Sequence, residues 1–222
     1  MALKLGLAYN DILSNEPLPS GELVIDDTGL ALVISVRPAR RDDDAQLAQI
    51  AYETWSTDTS PLPRPARDAP FFATIEPEHV LVAATSSLGA VGFATLLPAA
   101  ELSDRHAELC AHVQILRSTA VAPRLQGAGI GGILLDAVQR EAMQREASRV
   151  ETKILSTNPT AIRLAGAYGY REEARLVGRY QWDGRTVDDV LLALEIPHQA
   201  DGFPSASLSS ASLNMDSYHD IG

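Results

Sequence analysis

Short apolar runs, bounded by glycine, proline, asparagine and aspartate, recur along the chain and predict a protein rich in β-strands. The last two runs are joined by Asp183-Gly184, a dipeptide typical of a tight hairpin turn. Another turn is predicted at Asp26–Gly29. The predicted strands are Glu22–Ile25, Leu30–Val36, His79–Thr85, Ala90–Leu97, Ala111–Val121, Val150–Leu155, Glu172–Trp182 and Thr186–Ile196.

Apolar positions three or four residues apart predict three helices between these strands. The first covers Ala39–Trp55 and has three aspartates near its N-terminal end, where negative charge stabilises the helix dipole. The second opens at a glycine-rich loop and runs to about Ala147. The third starts at Asn158-Pro159, with the asparagine as N-cap, and ends at Gly169. The predicted buried stripe of the second helix is Ile130, Leu134, Val138 and Ala142.

This order of elements predicts an α/β fold, in which helices pack on a mixed sheet. The chain is long enough for one sizeable core. We divide it into an N-terminal extension with an extra strand (1–32), a folded domain (33–198) and a flexible, serine-rich tail (199–222). Within the domain, Ser56–Pro70 contains four prolines and is predicted to be a loop that covers a site.

The charge and the cysteine content exclude some functions. The chain has 18 basic and 29 acidic residues and a net charge of -11, so it lacks the basic footprint that nonspecific nucleic-acid or membrane binding requires. Cys110 is the only cysteine, which rules out an intrachain disulfide and favours a reducing, cytoplasmic setting. No apolar stretch reaches the ~20 residues that span a bilayer. No metal site is predicted.

The loop before the second helix, Gln126–Gly132, holds four glycines in seven residues. A helix start presents unpaired backbone N–H groups, and glycine lets phosphate oxygens approach them. Each glycine in a first helical turn costs about 1 kcal/mol relative to alanine, so a phosphate ligand is favoured over a plain tight turn. The Gly-Lys-Ser/Thr ending of a P-loop is missing. Gly127-x-Gly129-x-x-Gly132 fits the dinucleotide fingerprint, but the candidate ribose-binding acid, Glu151, begins its strand instead of ending it.

Two motifs, in order, resemble those of the GNAT superfamily of acyl-CoA-dependent N-acetyltransferases. The first is Val121-Ala-Pro-x-x-Gln126-x-x-Gly129-Ile130-Gly131, and the second is Asn158-x-x-Ala161-x-x-Leu164 followed by Gly169-Tyr170. The resemblance extends over about Val33–Pro197. It implies a central, mostly antiparallel twisted sheet in which the family's fourth and fifth strands splay apart, helices on both faces, and acetyl-CoA as the cosubstrate.

The resemblance also implies which residues bind the cofactor. Backbone N–H groups of the strand before the glycine loop would hold the thioester carbonyl oxygen, and the loop would bind the pyrophosphate. Asn158 would hydrogen-bond the pantetheine between the two splayed strands, although it is equally well placed to be a plain N-cap. The implied cofactor-binding residues are Thr119, Ala120, Val121, Gln126, Gly127, Ala128, Gly129, Ile130, Gly131, Gly132 and Asn158.

The proton-transfer residues depart from the family pattern. Many members carry a tyrosine seven residues beyond the asparagine, where this chain has Ala165. Tyr168, one turn further on, is either a substitute acid or a core residue with its hydroxyl at the rim. His112 and Glu151, on the strands that flank the second helix, are either bases or substrate-orienting groups. Ordered water is a further route for the amine proton.

From these features we predict an acetyl-CoA-dependent N-acetyltransferase in which an amine attacks the thioester directly. The acceptor is a primary amine of a small molecule or a protein, and the sequence does not identify it. A noncatalytic acyl-CoA-binding module and an NAD(P)-binding oxidoreductase are the alternatives. Sheets of this family often dimerise, so a homodimer is one expectation.

Overall fold

The computed structural model describes residues 22–25, 31–102, 108–182 and 184–197. Its strands are β1 Glu22–Ile25, β2 Ala31–Pro38, β3 Val80–Thr85, β4 Gly89–Pro98, β5 Val113–Val121, β6 Arg149–Leu155, β7 Arg171–Trp182 and β8 Arg185–Glu195. Its α-helices are α1 Asp44–Thr54, α2 Ile130–Gln144 and α3 Pro159–Ala167. Residues 1–21, the predicted turn at Asp26–Gly29, Asp183 of the predicted hairpin turn and the serine-rich tail lie outside the described residues.

The eight strands form one sheet in the order β1-β2-β3-β4-β5-β6-β8-β7. Every neighbouring pair is antiparallel except β5 and β6, which are parallel and are connected through α2. Each strand begins and ends within one or two residues of its predicted bounds. The predicted mixed, mostly antiparallel sheet is therefore confirmed.

Helices cover both faces of the sheet, as predicted. Strand β3 shows the division, because consecutive residues of a strand point to opposite faces. Leu81 and Ala83 pack in the core beneath α2 and α3, whereas Val80 and Val82 pack in a second core beneath α1. The predicted stripe of α2 is fully buried in the first core. None of the helices in the described ranges is long and apolar enough to cross a membrane.

An ion pair delays the start of the first α-helix relative to the predicted Ala39. The carboxylate of Asp43 accepts hydrogen bonds from the Arg37 guanidinium (Nη2 to Oδ1, 2.7 Å) and from the Arg40 backbone N–H (2.7 Å). These bonds accompany a 3-10 turn over 41–43, so that the α-helix begins only at Asp44. The hydrogen bond from Arg37 lowers the pKa of Asp43, which keeps the pair charged at neutral pH.

Two of the four glycines at the start of α2 serve helix packing. A Cβ added to Gly131 would lie 3.0 Å from Leu164 Cδ2 of α3, and one added to Gly132 would collide with the Tyr168 hydroxyl and lie 2.8 Å from its Cζ. Side chains at these positions would push α3 away from α2. The glycine run is therefore explained in part by close contact between helices and not by a phosphate alone.

We predict that Gly132→Ala destabilises the protein by about 1–2 kcal/mol, because overpacking against Tyr168 outweighs the better helix propensity of alanine. Gly166→Ala is the matched control, since Gly166 lies in α3 with no atom within 4 Å of an added Cβ. That variant should be unchanged or up to about 1 kcal/mol more stable. Tyr168→Phe should recover part of the loss in Gly132→Ala. Urea unfolding measures the free energy of unfolding of each variant. Equal effects of the two alanine substitutions would contradict the close packing of Tyr168 on Gly132.

Candidate active site: a cleft between diverging strands

Strands β5 and β6 pair along only part of their lengths. Val113–Leu116 of β5 pair with Arg149–Thr152 of β6, and the pairing ends there. Beyond that point β5 continues to pair with β4, and β6 continues to pair with β8, but not with each other. Ser118 and Thr119 are consequently exposed although β5 lies in the middle of the sheet. The splayed strands implied by the family resemblance are therefore present, and they leave a cleft.

A β-bulge marks the place where β5 leaves β6. Thr95 of β4 lies opposite Ser118, while the next residue of β4, Leu96, lies opposite Leu116, so that Arg117 is the extra residue. A bulge bends the strand that carries it and increases the local twist. The bend in β5 therefore comes directly after its last residue paired with β6.

Backbone groups of the free part of β5 point into the cleft. Ala122 N–H donates to Val91 O (2.9 Å), and alternate residues of an antiparallel strand bond to the same neighbour. Ala120 therefore faces β4 with its hydrogen-bonding groups, whereas Thr119 and Val121 direct theirs toward β6. Of the three strand residues predicted to bind the cofactor, Thr119 and Val121 are the two that present backbone donors to the cleft.

The glycine loop continues from this end of β5. Gly127 and Gly129 have φ angles of 84° and 92°, and nothing lies within 4 Å of a Cβ built on either. Gly129 is the N-cap of α2, and no side chain caps the helix start. Gln126 Nε2 donates to Val121 O (3.0 Å), which ties the loop to the strand.

The start of α2 has the hydrogen-bonding capacity of an anion site. Within the described part of the chain, the N–H groups of Gly127, Gly129, Ile130 and Gly131 donate to no acceptor, whereas Gly132 N–H closes a turn onto Gly129 O (2.9 Å). Free N–H groups at a helix start, next to the positive end of the helix dipole, are a favourable setting for phosphate oxygens. The pyrophosphate of a nucleotide fits this loop because two of its glycines face open space.

Asn158 lies at the far side of the cleft, between β6 and α3. Its Oδ1 accepts a hydrogen bond from Ala161 N (3.1 Å), so Asn158 is the N-cap of α3. Its Nδ2 donates to no other residue that the structure describes. The residue can therefore cap the helix with its oxygen and still donate to a ligand with its amide nitrogen.

The family model for the acetyltransferase (GNAT) family matches residues 46–170, more than half of the 222-residue chain. This chain belongs to the GNAT acetyltransferase family. The match covers most of α1, the cleft, the glycine loop and α3. GNAT acetyltransferases use acetyl-CoA as cosubstrate.

Several solved structures share the fold of this acetyltransferase. A GNAT superfamily phosphinothricin acetyltransferase from Sinorhizobium meliloti, in complex with acetyl-CoA, aligns with a TM-score of 0.60 and 16% identity over 78% of this chain and 97% of that chain. A ribosomal-protein-alanine N-acetyltransferase from Brucella melitensis aligns with a TM-score of 0.58 and 23% identity over 72% and 99% of the two chains. The smu.2055 protein of Streptococcus mutans aligns with a TM-score of 0.60 and 21% identity over 73% and 99%. A comparison with curated proteins finds no significant match.

The predicted acid of this acetyltransferase, Tyr168, lies against α2. Its hydroxyl occupies the space beside Gly132, and Gln139 Nε2 donates to its backbone carbonyl (2.9 Å). The family's usual tyrosine position, Ala165, is 4% exposed and belongs to the core. Tyr168 therefore packs the end of α3 against the first turn of α2.

The two predicted bases also lie away from the open part of the cleft. His112 precedes β5 at its opposite end, about 23 Å of extended strand from Thr119. Glu151 lies where β5 and β6 are still paired, opposite Ile115. Its carboxylate accepts a hydrogen bond from Arg149 Nε (2.8 Å), and Arg149 also binds Glu173 and Glu195. Glu151 thus belongs to a surface ion-pair network.

The Gly-Tyr pair that ends the second family motif is part of the core. Gly169 has a φ of 90° and ends the helical turn, and Tyr170 is buried among core residues. The Tyr170 hydroxyl has no hydrogen-bond partner among the described residues. Burial raises the pKa of this phenol, so it stays protonated at neutral pH.

The proline-rich loop is anchored next to Asn158. Thr157 Oγ1, next to Asn158, donates to Asp58 O (3.0 Å), and Trp55 Nε1 donates to Leu62 O (2.9 Å). These bonds hold the loop between α1 and the start of α3. A cavity of about 340 Å³ is lined by α1 and this loop, through Ala45, Gln49, Tyr52, Glu53 and Arg67.

One acid of the β7–β8 hairpin is buried beside the cleft. Asp189 of β8 lies opposite Leu155, the last residue of β6, and is buried. The pattern Val187-x-Asp189-x-Leu191 places it on the same face of β8 as two apolar side chains. An acid at an inward position of an alternating strand is the signal that could have identified it.

We predict that Asn158→Asp separates the two roles of this residue. Aspartate keeps the oxygen that caps α3, so the free energy of unfolding should change by less than about 0.5 kcal/mol. It loses the amide donor and adds a negative charge, so acetyl-CoA affinity should fall roughly tenfold. Asn158→Ala should lose about 1 kcal/mol of stability as well. Titration calorimetry and urea unfolding measure the two quantities; unchanged affinity in Asn158→Asp would leave only the capping role.

Proposed function

We propose that this acetyltransferase moves the acetyl group of acetyl-CoA to a primary amine of a small molecule or protein by direct attack. The observation that carries the proposal is the continuous path of unpaired backbone donors. It leads from Thr119 and Val121 in the cleft to the free N–H groups at the start of α2. Such a path suits a ligand with an extended, amide-containing arm and a pyrophosphate, which is the shape of coenzyme A.

The proposed cofactor contacts follow the path. The pyrophosphate binds the N–H groups of Gly127, Gly129, Ile130 and Gly131, where two glycines leave room for it. The pantetheine arm fills the gap left by the missing β5–β6 pairing and bonds to Thr119 and Val121 as an added strand would. Asn158 Nδ2 donates to the arm from the other side. Gln126 and Ala128 shape the loop, and Gln126 does so through its bond to Val121.

The proposed chemistry is acyl transfer without a covalent enzyme intermediate. The amine nitrogen bonds to the thioester carbonyl carbon, the carbon–sulfur bond breaks, and the sulfur leaves as a thiolate that takes up a proton. Thr119 N–H donates to the oxygen that becomes negative, and a donor held in place in this way is worth roughly 3–4 kcal/mol in the transition state. Since His112 and Glu151 lie away from the open part of the cleft and Tyr168 packs against α2, we propose that water carries the amine proton away.

The acceptor must approach the thioester from the side of the cleft that the proposed cofactor does not occupy. Phe93 and Ala120 belong to the core beneath α1, so that face of the sheet lies under α1 and the proline-rich loop. The loop is anchored beside Asn158 through Thr157. We propose that the acceptor enters between this loop and the β7–β8 hairpin. A cytoplasmic location is part of the proposal, and the single cysteine supports it.

The pyrophosphate assignment is tested by Gly129→Asp and Gly129→Asn. Both side chains tolerate the left-handed backbone that Gly129 adopts, and they have nearly the same shape. The aspartate places a negative charge on the free N–H groups, so acetyl-CoA should bind at least about tenfold more weakly to Gly129→Asp than to Gly129→Asn. Calorimetry with acetyl-CoA measures the ratio. Equal affinities would remove this loop from the cofactor site.

The activity itself is tested in two steps. Acetyl-CoA at millimolar concentration should raise the melting temperature, because a ligand of the native state stabilises it by mass action. Thiol release from acetyl-CoA should then depend on an added amine from a mixed panel of small amines, amino acids and peptide N-termini. Cofactor binding without amine-dependent thiol release would favour the noncatalytic acyl-CoA module. Absence of any shift with acetyl-CoA would refute the proposal.

A further inference from the structure

Asp189 is a buried carboxylate that forms no ion pair with the part of the chain that the structure describes. It is 4% exposed, and the hydrogen bond to it is a long one from the Tyr180 hydroxyl (3.4 Å). None of the lysine, arginine or histidine side chains in the described ranges forms an ion pair with Asp189. A buried carboxylate is costly unless it is paired. The residue before Asp189, Asp188, by contrast accepts hydrogen bonds from Gly178 N–H (2.9 Å) and from Arg175 (3.5 Å).

Asp189 lies close to the level of the proposed reaction centre. Leu116 and Thr152 are the last paired residues of β5 and β6. Because Arg117 is an extra residue in β5, Thr119 lies two ladder positions beyond Leu116 and is level with Ile154. In the β6–β8 ladder Ile154 pairs with Val190, and the next residue, Leu155, pairs with Asp189. A line across the sheet from Thr119 therefore crosses the cleft and β6 and meets β8 one residue from Asp189.

The carboxylate faces the acceptor side of the sheet. Val190 and Leu192 of β8 pack in the core beneath α2 and α3, so Asp189, the residue before Val190, points to the opposite face, which α1 covers. Tyr180 and Trp182 of β7 share this face, with ring centroids 6.0 Å apart. Tyr180 contacts the Asp189 carboxylate through its hydroxyl, and the Trp182 ring lies next to the Tyr180 ring. A carboxylate with aromatic rings on the same face is a favourable setting for an organic cation, since ring faces and the acid attract positive charge.

We infer that the acceptor carries a second cationic group, besides the amine that is acetylated, which docks on Asp189 beside Tyr180 and Trp182. This inference rests on the proposed function. The cofactor arm takes the place of a strand, and neighbouring strands are about 4.8 Å apart, so β8 lies two spacings, or about 10 Å, from it. That separation is too long for one nitrogen to attack the thioester and touch Asp189 together, but it suits the two ends of a diamine.

The inference is tested with 1,6-diaminohexane and 6-aminohexan-1-ol, which have equal chain length but differ in one terminal charge. The wild-type enzyme should show kcat/KM at least tenfold higher for the diamine, beyond the twofold statistical advantage of its two amines. In Asp189→Asn the ratio should fall to about two, while the KM for acetyl-CoA stays the same. Asp188→Asn is the matched control and should keep the wild-type ratio, because its carboxylate already has partners.

Several results would overturn the inference. These are a wild-type ratio near two, an unchanged ratio in Asp189→Asn, an equal loss in Asp188→Asn, or acetylation of neither compound by an enzyme that binds acetyl-CoA. If Asp189→Asn does not fold, Leu191→Lys provides the test, because a lysine two residues along the same face can pair with Asp189. It should lower the ratio relative to Leu191→Met, and equal ratios would count against Asp189. Failure to bind acetyl-CoA would instead refute the proposed function itself.

Discussion

The loss of hydrogen bonding between β5 and β6 is the constraint on which the rest of this structure depends. Two parallel strands in the middle of a sheet would ordinarily satisfy each other along their whole length. Here the bulge at Arg117 turns β5 away after Leu116, and the backbone N–H groups of Thr119 and Val121 have no partner strand on the side of β6. Unpaired backbone donors in a sheet interior are costly, so the arrangement is stable only where water or a ligand can bind them. The proposed cofactor site therefore originates in a break in strand pairing.

The glycine loop also presents free backbone N–H groups, but its glycines serve two purposes. Gly127 and Gly129 adopt left-handed backbone angles and face open space, which suits an anion at the free N–H groups. Gly131 and Gly132 instead let Leu164 of α3 and Tyr168, the residue after α3, approach α2 closely. The packing matters for the candidate site as well, since Asn158 caps the start of α3. One short run of glycines therefore positions both the start of α2 and the helix that follows Asn158.

In the proposed mechanism the catalytic chemistry relies on backbone groups and water more than on ionisable side chains. Tyr168 packs between helices, Glu151 is held by Arg149, and His112 precedes the end of β5 that is far from the cleft. The proposed contributors at the cleft are the Thr119 N–H of β5 and, across β6, Asp189, which forms no ion pair with the described residues. Such a site lowers the barrier by holding and orienting its reactants, and its selectivity would come from the charge of the acceptor.

The sequence by itself determined the strands, the helices and the family. Strand runs, helical spacing, the Asn158-Pro159 start and the glycine motif are local signals that depend on a few neighbouring residues. The predicted bounds therefore held to within one or two residues for every strand. The exceptions were two helix ends. The ion pair between Arg37 and Asp43 accompanies a 3-10 turn in place of the predicted first turn of α1. Helix α2 ends at Gln144, before the predicted Ala147.

The tertiary structure alone decided which side chains meet. The distance from His112 to the cleft, the ion pairs of Glu151 and the contact of Tyr168 with Gly132 all depend on strand order, register and helix packing, which no local pattern encodes. Asp189 shows the same limit, because its neighbours come from β6 and β7 through pairings far apart in the chain. Residue type and spacing identified the chemistry of the loop. Only the pairing of distant strands decided which acids and hydroxyls could reach it.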